Sequence, residues 1–293
     1  MAIIDLGTPP AAPLGLLASL PRRISLTLPE LRVLAESAGG APLPFDVTGE
    51  PDLTLGGRLG RTPADSEDEA YAAAVQALHE PRSSLARRGL LVDTVADEGL
   101  LGAVGLLATP TVAIDLDVSV GTSRVRAWHR QREGAVASLA TTDGLVFELA
   151  WFPTEKWADE LARVAVLPED HASRPSAAPS RLDLPYELVD AAVEAVRSHR
   201  SDLLSVLVAD DLELVPVLTA LATEPTGRLR ALVADVSTSA TTVVGVVSWV
   251  LLADGWRALR PRRVDGVDRV EVRARHPSDL AAELAPVLAE VTP

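Results

Sequence analysis

The chain has 293 residues, 47% hydrophobic and 23% charged, so it carries enough apolar side chains to bury a substantial core and is not disordered. Twenty-seven basic against 41 acidic residues leave a net charge of −14, which repels nucleic-acid phosphates and anionic lipid head groups over most of the surface. With no cysteine, a disulfide framework, a thiol nucleophile and a thiolate-ligated zinc site are excluded.

At the N-terminus the apolar piece Leu14 to Leu20 is flanked by Pro9, Pro10, Pro13 and Pro21 and lacks the basic region of a signal peptide, which points to a cytoplasmic protein. Ile24 to Leu28 alternates as a short strand. Pro29 then starts a helical pattern through Leu31, Leu34 and Ala35 that Gly39 and Gly40 stop. From Gly39 to Ser66 no periodicity is sustained, which predicts a long surface excursion. The acidic run Asp65 to Glu69 caps a helix over Ala70 to His79 that Pro81 ends, and a further helix covers Arg82 to Arg88 with Gly89 as its C-cap.

Strands are predicted next. Val112, Ile114, Leu116 and Val118 alternate with Ala113, Asp115 and Asp117, the period of two expected when one sheet face is buried. Ser123 to Gln131 continues the pattern with Arg124, Arg126, Trp128 and Arg130 on one face and Val125, Ala127 and His129 on the other. Gly134 turns the chain into Ala135 to Ala140, Asp143-Gly144 is a hairpin signal, and Leu145 to Trp151 returns, which makes an antiparallel meander. Pro153 and Thr154 open a helix through Trp157, Leu161 and Val164. The Pro, Ser and Ala segment 171–180 has no packing face and reads as a linker. The longest apolar stretch of the second half, Val243 to Ala253, is about half the length of a membrane span and rich in β-branched residues, so it reads as a buried strand.

The sequence beyond this linker repeats marks found before it. Leu26-Thr27-Leu28-Pro29 before a helix is answered by Leu182-Asp183-Leu184-Pro185, and Leu107 to Thr111 by Leu221 to Thr226. Asp143-Gly144 corresponds to Asp254-Gly255, with a second turn at Asp265-Gly266, and the Pro153 helix corresponds to Pro277-Ser278 leading to Glu283-Leu284. Four collinear marks predict a duplication, residues 1–170 and 181–293 being two similar halves of one continuous globular unit joined by 171–180 and related by a pseudo-twofold axis.

Chemistry is sparse. The histidines at 79, 129, 171, 199 and 276 are scattered with no metal-binding spacing. Gly56, Gly57 and Gly60 lack the Lys-Ser/Thr of a phosphate loop, and no G-x-S-x-G nucleophile elbow occurs. Asp115 and Asp117 share a strand face and read as solvated or paired to a neighbour such as Arg126, not as a catalytic pair. No catalytic residue, metal or cofactor is expected. Arg124, Arg126 and Arg130 with Trp128 read either as an ordinary solvated face or as a protein-binding surface, because Arg and Trp anchor interfaces more often than other residues. Trp249 and Trp256 read as core or rim.

The LTLPELRVLAES opening, the apolar strand, D-G turn and returning strand at Ala135 to Phe152 and again at Thr241 to Leu259, and the closing LAAELAPVL helix resemble the EspG family, the cytoplasmic chaperones of actinobacterial type VII (ESX) secretion. The resemblance implies an α+β fold with a central antiparallel sheet and flanking helical bundles. It also implies a helical secreted partner, a PPE-like protein in its PE–PPE heterodimer or another type VII substrate, whose hydrophobic tip is kept soluble until export. The partner-binding parts would be the sheet, the loop Ser119, Val120, Gly121 and Thr122, which is short, and the second-half helix Pro185 to His199. Neither nucleic acid nor membrane insertion is expected, and the protein would be a monomer or homodimer. The competing class is an enzyme or small-ligand binder on a similar sheet, which a deep apolar pocket with convergent polar groups would favour.

Overall fold

A computed structural model describes residues 22–45, 71, 73–75, 77–169, 171–209, 211–238 and 241–291. The features predicted at Leu14 to Leu20, at Gly56, Gly57 and Gly60, at Asp65 to Glu69 and over most of the Gly39 to Ser66 excursion lie outside these residues. Of the helix predicted over Ala70 to His79, Tyr71 and residues 73–75 are helical, whereas Ala77, Leu78 and His79 have already left the helix, short of the predicted end.

Strand β1 (Arg22–Thr27) runs directly into α1 (Leu28–Ser37) because Thr27 and Glu30 form a capping box, the Glu30 N–H donating to Thr27 Oγ1 (3.4 Å) and the Thr27 N–H to Glu30 Oε2 (2.8 Å). Leu28, Leu31, Leu34 and Ala35 bury one stripe of α1. Pro81 opens a helix, α2 (Pro81–Arg87), at its first position, where its missing N–H costs nothing, and Glu80 caps it. A small hairpin, β2 (Leu91–Val92) and β3 (Val95–Ala96), and helix α3 (Glu98–Ala108) come next, the helix capped by Asp97. The sequence pattern signals neither, since Gly99, Gly102 and Gly105 lower the helix propensity of α3 and blur its stripe.

The meander comprises β4 (Val112–Val120), β5 (Ser123–Arg132), β6 (Ala135–Thr141) and β7 (Val146–Pro153). At its Asp143-Gly144 turn Gly144 takes φ +73°, and Asp143 Oδ1 accepts from the Leu145 (2.8 Å) and Val146 (3.0 Å) N–H groups. Helix α4 (Trp157–Val164) closes this stretch. The remainder contains β8 (Arg181–Pro185), α5 (Tyr186–Arg197), α6 (Leu204–Leu207), α7 (Leu214–Thr223), β9 (Gly227–Asp235), β10 (Thr242–Leu252), β11 (Gly255–Val264), β12 (Val267–Arg275) and α8 (Leu280–Leu288). The predicted helix Pro185 to His199 is α5; α6 and α7 are additional to the prediction.

The architecture is α+β with a ten-stranded antiparallel sheet in the order β1-β7-β6-β5-β4-β9-β10-β11-β12-β8. The chain divides into two compact units, one of Met1–Ala113 with Trp128–Thr154 and one of Ile114–Ala127 with Glu155–Pro293. In the first, Leu26, Leu31, Leu34, Leu100, Val104, Leu139 and Leu149 pack α1 and α3 against the strands. In the second, Leu184, Ala192, Ala195, Leu204 and Leu218 form the core of the α5–α7 bundle. On another part of that unit, α8 is clamped to β11 and β12 by Glu283, which accepts from Arg260 Nε (2.9 Å) and Arg275 Nε (2.6 Å).

The segment 171–180 contains no helix or strand, as predicted, yet it does pack. The Arg174 N–H donates to the Ala253 carbonyl (2.7 Å), Ser176 Oγ donates to Glu224 (2.6 Å), and Ala178 is buried. Its small side chains are what allow it to lie against the rest of the second unit. The stretch Val243 to Ala253 is a strand, β10, but Val243 and Val246 are 55% and 45% exposed, so only its second half is buried as expected.

Candidate protein-binding surface

Strand β5 changes character along its length. Ser123, Arg124 and Arg126 are exposed and Val125 is half-buried, whereas Ala127, Trp128, His129 and Arg130 are all buried. The expectation that Trp128 stands beside Arg124 and Arg126 as an exposed anchor is therefore wrong. The period of two places it on their face, but beyond Ala127 that face is covered as well. The Trp128 ring lies 5.0 Å from Phe45, which stacks on Phe147 at 4.9 Å, and all belong to the core of the first unit. Arg130 is only 8% exposed and donates from Nη1 to the His129 carbonyl (3.1 Å), so it too leaves the accessible set. His129, against Phe152, is held neutral: burial, with the adjacent Arg130 charge, pushes its pKa down to about 3.

The predicted loop Ser119 to Thr122 is in fact a tight hairpin. Ser119 and Val120 end β4, and Gly121 and Thr122 make the turn, Gly121 at φ +56°. The Gly121 N–H donates to the Thr226 carbonyl (2.8 Å), which ties the hairpin tip to the start of β9. Ser119 Oγ lies 3.5 Å from the Arg228 carbonyl. Gly227 permits this closeness, because a Cβ there would run into the Ser119 carbonyl oxygen and approach Leu251 to 3.2 Å.

Behind the tip, Asp117, Ser119, Arg124, Arg228 and Arg230 line a concavity of about 350 Å³. Arg124 grips Asp117 with both Nε (2.9 Å) and Nη2, so the Asp115–Asp117 face is paired, to Arg124 in the case of Asp117. That fork is the main reason the Asp117 carboxyl titrates below its usual range; partial burial opposes it, and the Arg124, Arg126 and Arg228 charges assist. Arg228 and Arg230 are not among the residues singled out from the sequence, although the alternation Arg228, Leu229, Arg230, Ala231 carries the same signal as β5: the arginines are exposed and Leu229 and Ala231 buried.

On β10, Ser248 and Val250 stand opposite Arg230 and Arg228, and Val246 opposite Leu232. Directly opposed residues of an antiparallel pair point to the same side, so the exposed face carries arginines beside an apolar strip. In the α5–α7 region Val206, Leu207 and Leu212 are 70%, 38% and 64% exposed, and Tyr186 at the start of α5 is 55% exposed. Among the described residues there is no group of three His, Asp or Glu placed to hold a metal ion, and no helix is long and apolar enough to cross a membrane.

This arrangement of antiparallel sheet and helices has a counterpart among solved structures. Among the solved structures it is similar to is that of the Mycobacterium tuberculosis type VII secretion system chaperone EspG5, determined in complex with the PE25–PPE41 dimer. The TM-score is 0.62 over 93% of this chain and 97% of that one, at 13% sequence identity. No family model matches the chain, and no curated protein matches it.

Proposed function

We propose that this protein is a cytoplasmic chaperone of type VII secretion. It binds the hydrophobic tip of a helical export substrate, PPE-like or of another type VII class, and keeps it soluble before export. The observation that carries this reading is the likeness to EspG5 along nearly the full length of both chains. The exposed apolar side chains Val206, Leu207 and Leu212 beside the α5–α7 core, and Val243 and Val246 on β10, supply surface suited to an apolar helical tip. The hairpin tip Ser119 to Thr122 with Arg124 and Arg126 supplies the polar part. Binding without catalysis follows from this role.

The test is coexpression with a helical type VII substrate of the same host. A rise in the soluble fraction of the substrate and a stoichiometric complex on size exclusion are expected; a substrate that stays insoluble and a chaperone that elutes alone would refute the role. A Val206→Asp, Leu212→Asp double variant should abolish the complex while remaining folded, since both side chains are exposed.

We also propose that residues 1–170 and 181–293 are copies of one topology. In the first half the strand order is β1-β7-β6-β5-β4 and in the second β8-β12-β11-β10-β9, each an opening strand followed by helices, a four-stranded meander and a closing helix. Superposing the two halves in experimental coordinates tests this, and unlike strand paths would defeat it.

A further inference from the structure

Among the described residues, Arg228 and Arg230 make no ion pair, whereas Arg124 beside them is paired with Asp117, and elsewhere in the same unit Arg262 is paired with Asp183 and Arg260 with Glu283. Three arginines against the single carboxylate of Asp117 leave the concavity with two positive charges, in a chain whose net charge is −14. Both side chains are exposed, and both lie on one face of β9 two residues apart.

That spacing has a geometric consequence. Residues i and i+2 of a strand are about 6.6 Å apart along its axis, while side chains at i and i+4 of a helix have Cβ atoms about 5–6 Å apart. Two guanidinium groups so placed match two carboxylates one turn apart on a helix. A helix lying there would meet Ser248, Val246 and Leu232 on the neighbouring positions, so its acidic pair would be bordered by an apolar stripe.

Building on the proposed chaperone role, we infer that the Arg228–Arg230 pair, flanked by Arg124, is a carboxylate cradle for an amphipathic helix of the partner that carries two acidic residues one turn apart. The recognised chemistry is a Glu or Asp pair on a protein helix. The cradle is a locally positive spot on a protein of net charge −14, so an acidic helix is attracted to it and oriented there. Guanidinium forks on carboxylates supply direction as well as charge.

The experiment titrates the full-length protein with a capped helical peptide of about 20 residues, long enough for appreciable helicity, that carries two Glu at i and i+4 beside an apolar stripe. Matched peptides replace both Glu by Gln, or space them i and i+2 so that they lie on different faces. The i, i+4 Glu peptide should bind about tenfold or more tightly than either control and weaken as salt rises from about 0.05 to about 0.5 M. The Arg228→Gln, Arg230→Gln double variant should lose that preference with its melting temperature unchanged, whereas Arg197→Gln, on the exposed face of α5, should keep it. Equal binding of the Glu and Gln peptides, no peptide binding at all, or a stronger response to inorganic phosphate or a single-stranded oligonucleotide would overturn the inference. Its failure is separable from failure of the chaperone role. A substrate complex that the double variant leaves intact refutes the cradle alone, and a cradle that binds the peptide in a protein that forms no substrate complex refutes the chaperone role alone.

Discussion

Replacing Trp128 by alanine, beside Arg124→Ala, separates a core residue from a surface residue of the same strand. The indole is 7% exposed and packs against the Phe45 ring at 5.0 Å, itself stacked on Phe147. A buried Trp→Ala change removes the transfer free energy of the ring and leaves a cavity, about 3–5 kcal/mol together. Against a typical total stability of about 5–15 kcal/mol, that is a large fraction. Arg124→Ala, which removes an ion pair whose arginine side chain is 61% exposed, should cost less than about 1 kcal/mol. Urea unfolding of the two variants beside the parent chain measures both, with the slope checked for constancy so that the midpoints report stability. A Trp128→Ala protein within about 1 kcal/mol of the parent would show that the ring is not packed in the core and would restore the simple alternation of β5 as a guide to its exposed face.

His129 stays neutral in the folded protein down to about pH 3, whereas in the unfolded chain it protonates near pH 6.5. Its folded pKa is depressed, so the stability it contributes is complete above pH 6.5 and declines as the pH falls toward 3. Between about pH 6.5 and about pH 5, before most carboxylates respond, the loss should approach about 2 kcal/mol, and a His129→Leu variant should flatten that part of the curve. Gly227→Ala drives a methyl group toward the Ser119 carbonyl oxygen and Leu251, and should cost about 1–3 kcal/mol in thermal or urea unfolding; no loss would mean that β4 and β9 are not held this closely. Glu283→Ala leaves Arg260 and the mostly buried Arg275 without their shared carboxylate and should destabilise by about 2–4 kcal/mol, less at Arg260 because that side chain is 44% exposed; a shift under about 0.5 kcal/mol would show that α8 is not held by this clamp.

Strands β1, β4 to β7 and β10 were legible because their signals are local. Alternation in Val112 to Val118, the Asp143-Gly144, Asp254-Gly255 and Asp265-Gly266 turns, and the Thr27-Leu28-Pro29-Glu30 helix start each depend on a few neighbouring residues, and each lies where predicted. Helix α3 was not legible, because three glycines in eleven residues imitate a loop and its stability comes from Leu100, Val104 and Leu107 packing on other elements. The candidate surface was half legible. Arg124, Arg126 and the hairpin tip follow from β5 and β4 alone, but the closure of the concavity by Arg228 and Arg230 depends on β9 lying next to β4, a pairing about 110 residues apart in sequence that no local pattern encodes.

The change along β5 from Ala127 to Trp128 also explains how one strand can serve two purposes. Alternation separates core from surface only while one face of a strand is covered; a strand covered on both faces must be apolar or fully satisfied throughout. At Ala127 the strand passes from the first condition to the second, and the division of the chain into its two compact units falls between Ala127 and Trp128. Substitutions at Arg124 and Arg126 therefore meet little packing, whereas substitutions at Trp128, His129 and Arg130 disturb a filled core or a buried charge. Under the proposed binding role, the positions of these two strands where a substitution should change affinity without loss of fold are residues 123–126 of β5 and the exposed positions of β9, because stability constrains the rest of β5.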